Sequence, residues 1–250
     1  MLNNLRVHIS PVGFQSLRIT EPLIKMQADK VYLVTYRDHD DANFYFEKVK
    51  SELKNKYKHI GLEIIYLDLW DLNTCIEAFR EIFVKEKGNH VYFNVSTGTK
   101  ITAIAGTISC MLWGGIPYYV PISYKDMAMR NQDATEITEE PQILPVQEIR
   151  KPRGLFLKVL EILESAGGIM KKKQLIKKLE ELDVIKPRDE NRKGLTPSAE
   201  HSQLKAILDP MEKDWHYVKV DSRGRRSEVM ILEQGKSALK IFGPSELYTS

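Results

Sequence analysis

Short runs of β-branched and aromatic residues alternate with longer amphipathic segments through the first half of this chain, and that rhythm leaves few folds open to it. Leu5 to Ile9, Lys30 to Thr35, Leu62 to Leu67, Val91 to Val95 and Ile116 to Val120 are expected as strands. Between them, Ala42 to Lys56 places Phe46, Val49 and Leu53 on one helical face, and Leu72 to Lys85 does the same with Ile76, Phe79, Ile82 and Phe83. Strand and helix in strict alternation mean an α/β fold. A doubly wound, mostly parallel, Rossmann-like sheet is expected over residues 1–140.

The rhythm stops near residue 140. Residues 141–152 carry Pro141, Pro145 and Pro152 without periodicity, which suits an extended linker. Beyond it, Gly154 to Ala166 is expected as a helix with Leu155, Val159, Ile162 and Leu163 inward. Lys171 to Leu182 is a second helix, with Leu175, Ile176 and Leu179 inward. A third runs from Pro197 or Ser198 to Met211. Two strand-like runs, Trp215 to Val220 and Ser227 to Leu232, flank the polar stretch from Asp221 to Arg226. Three helices and a hairpin with a basic tip describe a small winged helix-turn-helix domain over residues 153–250.

Composition decides between function classes chiefly through charge. Residues 1–150 hold 17 basic and 19 acidic side chains, a net −2, whereas residues 151–250 hold 20 and 15, a net +5. A polyanionic partner therefore belongs to the second domain, and double-stranded DNA is the expected one. Candidate phosphate contacts are Lys171, Lys172, Lys173, Lys205 and the cluster Arg223, Arg225 and Arg226, because three cations on one hairpin tip repel each other without an anion. Ser198, His201 and Ser202 fall on the presumed reading helix. Only two cysteines occur, Cys75 and Cys110, without CxxC spacing, so a disulfide framework and a zinc knuckle are both excluded and a reducing cytoplasm fits. The uncharged run from Ile101 to Tyr124 is broken by Gly114, Gly115, Pro117 and Pro121, so a buried helix and strand are expected there, not a membrane span. Asp38, His39, Asp40 and Asp41 are consecutive loop residues that suit an acidic helix start better than a metal site, and no metal is expected.

Chemistry concentrates in two segments. Asn94-Val95-Ser96-Thr97-Gly98-Thr99-Lys100 lies at the carboxyl end of the fourth strand and opens the next helix. Ligands bind at that edge of a doubly wound sheet, where helix-start amides attract anions and the hydroxyls and Lys100 add donors. The segment is neither a P-loop nor a dinucleotide fingerprint, since the leading glycines of both are missing. Ser10-Pro11-Val12-Gly13-Phe14 follows the first strand and should reach the same edge, with Phe14 able to stack on a base while Ser10 and the Gly13 amide touch phosphate or sugar.

These two loops, the helix of small residues after Lys100 and the C-terminal winged helix together resemble CRISPR-associated Rossmann fold (CARF) regulators. The likeness covers the whole chain in architecture and about ten residues in motif. Thr97 stands where the family's Ser-Gly-Gly-type loop has its second small residue. The resemblance implies a homodimer that binds a cyclic oligoadenylate, cyclic tetra-adenylate being the expected size, and a transcription regulator acting on DNA. The implied ligand residues are Ser10 to Phe14 and Asn94 to Lys100 excluding Val95, joined by Thr35, Tyr36 and Arg37 after the second strand. No other cofactor is implied.

Two rival functions come with the family. An effector ribonuclease needs an arginine four to six residues before a histidine, and neither His201 nor His216 has one. A phosphodiesterase opening the cyclic ligand would need a positioned Ser10 or Lys100.

Overall fold

The computed structural model describes residues 4–36, 40–122, 139–185, 197–221 and 227–244. The chain divides into two compact units, Met1–Arg150 and Lys151–Ser250.

In the first unit, β1 (Arg6–Pro11), β2 (Lys30–Thr35), β3 (Gly61–Tyr66), β4 (His90–Asn94) and β5 (Ile116–Tyr119) run parallel, and β6 (Gln142–Ile143) closes the edge antiparallel. Their order is β3-β2-β1-β4-β5-β6. The connecting helices are α1 (Leu17–Lys25), α2 (Asp40–Asn55), α3 (Leu72–Lys85) and α4 (Lys100–Trp113). β1 and β2 are buried along almost their whole length, as strands covered on both faces must be. Ile19 and Leu23 of α1 and Phe46, Val49 and Leu53 of α2 pack with Val31 and Leu33 on one face. On the other, Phe79 of α3 meets Phe93 at 4.8 Å between ring centroids. Gly106 lets α4 lie against that same ring, since a Cβ there would sit 2.1 Å from Phe93.

The uncharged run after Lys100 is indeed a helix and a strand, α4 and β5. Among the described residues no helix is long and apolar enough to cross a membrane. The proline-bearing segment after Glu140 is extended, as its prolines require, but it is not loose. Gln142 and Ile143 pair with Tyr119 and Tyr118, the Leu144 amide donates to the Pro117 carbonyl, and the Ile149 amide donates to the Met111 carbonyl of α4.

The second unit consists of α5 (Gly154–Ser165), β7 (Ile169–Lys171), α6 (Lys172–Glu181), α7 (Pro197–Lys213), β8 (Val218–Asp221), β9 (Glu228–Ile231) and α8 (Glu233–Phe242). Its antiparallel sheet has the order β7-β9-β8. Helix, strand, two helices and a two-stranded wing make a winged helix domain. Its core joins Leu160 and Leu163 of α5 to Leu175 and Leu179 of α6, Leu204 and Leu208 of α7, and Val229 of β9. α5 is buried on a wider face than the spacing predicts: Phe156, Leu157 and Leu160 are core residues while Leu155 is only half-buried. The short β7 was not expected at all; Gly167 and Gly168, at φ of 82° and 88°, turn the chain back from α5 into it.

Candidate functional site

Strand order reverses at β1, with β2 on one side and β4 on the other, so the chain leaves the carboxyl ends of β1 and β4 toward opposite faces and opens a crevice between them. Two glycines set its floor. A Cβ on Gly13 would lie 2.8 Å from the Gly98 amide nitrogen, and one on Gly98 would lie 2.5 Å from the Pro11 Cβ. Gly98 also has a φ of 81°, a conformation costly for any side chain. Gly98→Ala should therefore destabilise the first unit by about 1–3 kcal/mol, visible as a lower urea midpoint. An unchanged midpoint would show that the two loops do not interlock.

The polar side chains of the 94–100 segment are spent on building it. Thr99 caps α4 and exchanges hydrogen bonds with Thr102, while its hydroxyl also donates to the Leu69 carbonyl. The Thr97 hydroxyl donates to the Pro11 carbonyl at 2.6 Å. Ser96 accepts from the Val120 amide. Asn94 accepts from the Ser96 amide and donates 2.7 Å to the Arg18 carbonyl. That carbonyl is available because Pro22, inside α1, has no N–H to offer the residue four before it. What the segment presents outward is its backbone, those first-turn amides of α4 that the Thr99 cap leaves open, and the exposed Lys100.

Beside it lies a small open cleft of about 50 Å³. Val12, Gly13 and Phe14 form one wall, Gly98 and Thr99 the floor, and Thr35, Tyr36, Leu69 and Trp70 the far side. Phe14 is 52% exposed and Trp70 50%. Tyr36 and Trp70 meet edge to face at 5.3 Å, and Phe14 stands edge-on to Tyr45 at 5.8 Å. Among the described residues no charged side chain lines this aromatic slot, a surface on which planar, neutral groups can stack.

Of the residues expected here, Val12, Gly13, Phe14, Thr35, Tyr36, Gly98 and Thr99 meet at the cleft. Pro11, Ser96 and Lys100 sit next to it, and Ser10, Asn94 and Thr97 are buried away from it. Arg37 lies outside the described residues. Leu69 and Trp70 carry no motif. The signal that finds them is topological, since they follow β3 and so reach the same edge as the loops after β1, β2 and β4.

Beneath the crevice, on the α1 face, runs a neutral polar layer. His8 is wholly buried, stacked on Tyr92 at 4.9 Å with Nδ1 3.2 Å from the Tyr118 hydroxyl. Burial, and then the charge of Arg6, push its pKa down to about 3, so the imidazole is uncharged. Burial likewise raises the Tyr118 hydroxyl far above its usual range.

In the second unit, Ser198, His201, Ser202 and Lys205 form one exposed stripe along α7, at spacings of three and four. Lys171 and Lys173 are exposed and Lys172 half-buried where β7 passes into α6. Lys172, His201 and Lys205 share a groove with Asp209 and Glu212. The Glu212 carboxylate accepts from the Val220 amide, which ties α7 to β8. Arg223, Arg225 and Arg226 lie outside the described residues, in the connection between β8 and β9.

Fold and crevice together define the class: a Rossmann-like α/β domain with an open cleft at the switch point, followed by a winged helix domain. Residues 6–124 match the family model described as HFX_2341_N:-like, N-terminal, and residues 156–243 match the DUF6293 C-terminal winged helix domain; the chain pairs these two domains. It is similar to protein MJ1513 of Methanocaldococcus jannaschii, 27% identical over 229 residues that cover 79% of this chain and 68% of that protein. A protein of Archaeoglobus fulgidus is 25% identical over 244 residues, 95% of this chain and 98% of that one. Among solved structures, Enterococcus italicus Csm6 bound to cyclic hexa-2'-fluoro-hexa-dAMP is similar at 13% identity and a TM-score of 0.45, covering 85% of this chain. This chain spans 56% of the length of that one.

Proposed function

We propose that this chain is a CARF-type regulator that binds cyclic oligoadenylate in the switch-point crevice and duplex DNA through its winged helix domain. The observation that carries the reading is the meeting of an uncharged aromatic cleft with the amide-rich start of α4 and Lys100, a surface suited to bases on one side and phosphates on the other. The exposed polar stripe on α7 and the +5 charge of the second unit support the DNA half. A ring with internal symmetry and a palindromic operator both match a two-fold homodimer. Binding is favoured over ring opening because Ser10, a group that ring opening would need, is buried.

Calorimetric titration with cyclic tetra-adenylate, followed by chromatography of the mixture, tests this directly. The expected outcome is one ring bound per two chains and recovered intact. Lys100→Ala should weaken binding by about 2 kcal/mol, the scale of a charge-assisted contact, without lowering the unfolding temperature. Unchanged affinity in that variant would remove Lys100 and the start of α4 from the site.

A further inference from the structure

Arg18, in the first turn of α1, is a charged side chain without a charged partner among the described residues. It is 8% exposed, and among the described residues no carboxylate pairs with it. Its Nε and Nη2 are buried and make no hydrogen bond. Its guanidinium carbon stands 5.0 Å from the centroid of the Tyr119 ring, and the interaction with Tyr119, a side-chain hydrogen bond included, offsets part of the cost of burial while Nε and Nη2 stay without a partner. Burial lowers its pKa from the usual value, yet a guanidinium does not give up its proton in a protein. A buried cation with open donors is destabilising, and such strain persists where a ligand relieves it.

Its place is fixed by the loops that build the crevice. Asn94 holds its carbonyl, and Tyr119 ends β5, so the guanidinium lies at the carboxyl edge of the sheet on the β4–β5 side. The aromatic cleft occupies the β1–β2–β3 side of that edge, and the 94–100 segment runs between. Nε and Nη2 are the two nitrogens whose N–H bonds point the same way, the side-on fork that receives two oxygens of one phosphate.

We propose that Arg18 is an anion receptor, its Nε–Nη2 fork taking two oxygens of a phosphate at the carboxyl edge of the sheet beside β4 and β5. Rotation of the Tyr119 ring, itself 38% exposed, opens the fork. The proposal deepens the ligand reading above and rests on it only for what carries the phosphate: a phosphodiester of a cyclic oligonucleotide there, a free polyphosphate otherwise.

Two measurements on the full chain and on Arg18→Met, which keeps the bulk and removes the charge, test it. Tripolyphosphate, a probe without a base, should raise the unfolding temperature of the wild-type chain and leave that of R18M unmoved, while R18M without anion unfolds no lower than wild type. Cyclic tetra-adenylate affinity should fall at least tenfold in R18M, the loss expected of a charge-assisted bond. Arg18→Lys, which keeps the charge and loses the fork, should restore part of the tripolyphosphate response. If tripolyphosphate acts through Arg18 but cyclic tetra-adenylate does not bind the wild-type chain, the anion receptor stands and the ligand reading falls. If R18M unfolds well below wild type and responds to both probes undiminished, Arg18 is a packing residue and the proposal is overturned.

Discussion

Acidification from pH 7 to 4.5 should remove on the order of 2–3 kcal/mol from the stability of the first unit through one residue, His8. Its folded pKa of about 3 lies below the 6.5 of a free imidazole. Between those values the unfolded chain binds a proton that the folded chain refuses. The stabilisation is thus complete above pH 6.5 and declines as the pH falls toward 3, by about 1.4 kcal/mol per unit. Glu63, held below the usual carboxylate range chiefly by Lys30, and Glu86, where burial pushes upward but the bonds from Lys30, Tyr32 and Asn89 outweigh it, contribute acid sensitivity in the same direction, beginning at about pH 5.5. The window from 6.5 to about 5.5 therefore isolates the histidine. Urea midpoints measured across it should fall for the wild-type chain and stay level for His8→Phe, which keeps a ring against Tyr92. Parallel curves for the two proteins would mean that His8 is not held neutral.

Duplex DNA carrying the protein's own promoter should bind with a steep salt dependence. Replacing Arg223, Arg225 and Arg226 by alanine should flatten the slope of log K against log salt by roughly 2.7, at about 0.9 for each phosphate left without its arginine. Cyclic oligoadenylate affinity should not change, because the proposed ligand residues all belong to the other unit. Gel retardation across a salt series reads both slopes. No retardation of wild-type protein at low salt, or equal slopes, would take the wing out of the DNA interface.

Where a pattern is local, the sequence shows it. Lys30 to Thr35 is a run of β-branched and aromatic residues and forms β2 over that span; Phe46, Val49 and Leu53 share one buried face of α2, as their spacing requires. The winged helix was legible from its three helices and the polar hairpin tip, although the three-residue β7 is too short to show a period. α1 escapes notice because Pro22 interrupts it, and β6 because two residues between prolines look like linker until β5 pairs with them. The crevice itself was legible as a place, since parallel order puts the loops after β1 and β4 at one edge. The duties of its side chains were not. Thr97 bonds to Pro11 and Asn94 to Arg18, partners 86 and 76 residues distant, so hydroxyls and amides that look like ligand donors are instead structural ties.

The docking of the segment after Glu140 changes the mechanics of the connection between units. Ile149 is fastened to α4, the helix whose first turn borders the crevice, and α5 begins at Gly154. Arg150, Lys151 and the buried Pro152 separate that anchor from Arg153, which caps α5 and lies over the Phe156 ring. An axial shift of α4 would carry the Ile149 anchor with it, so the end of the first unit follows the helix that borders the crevice.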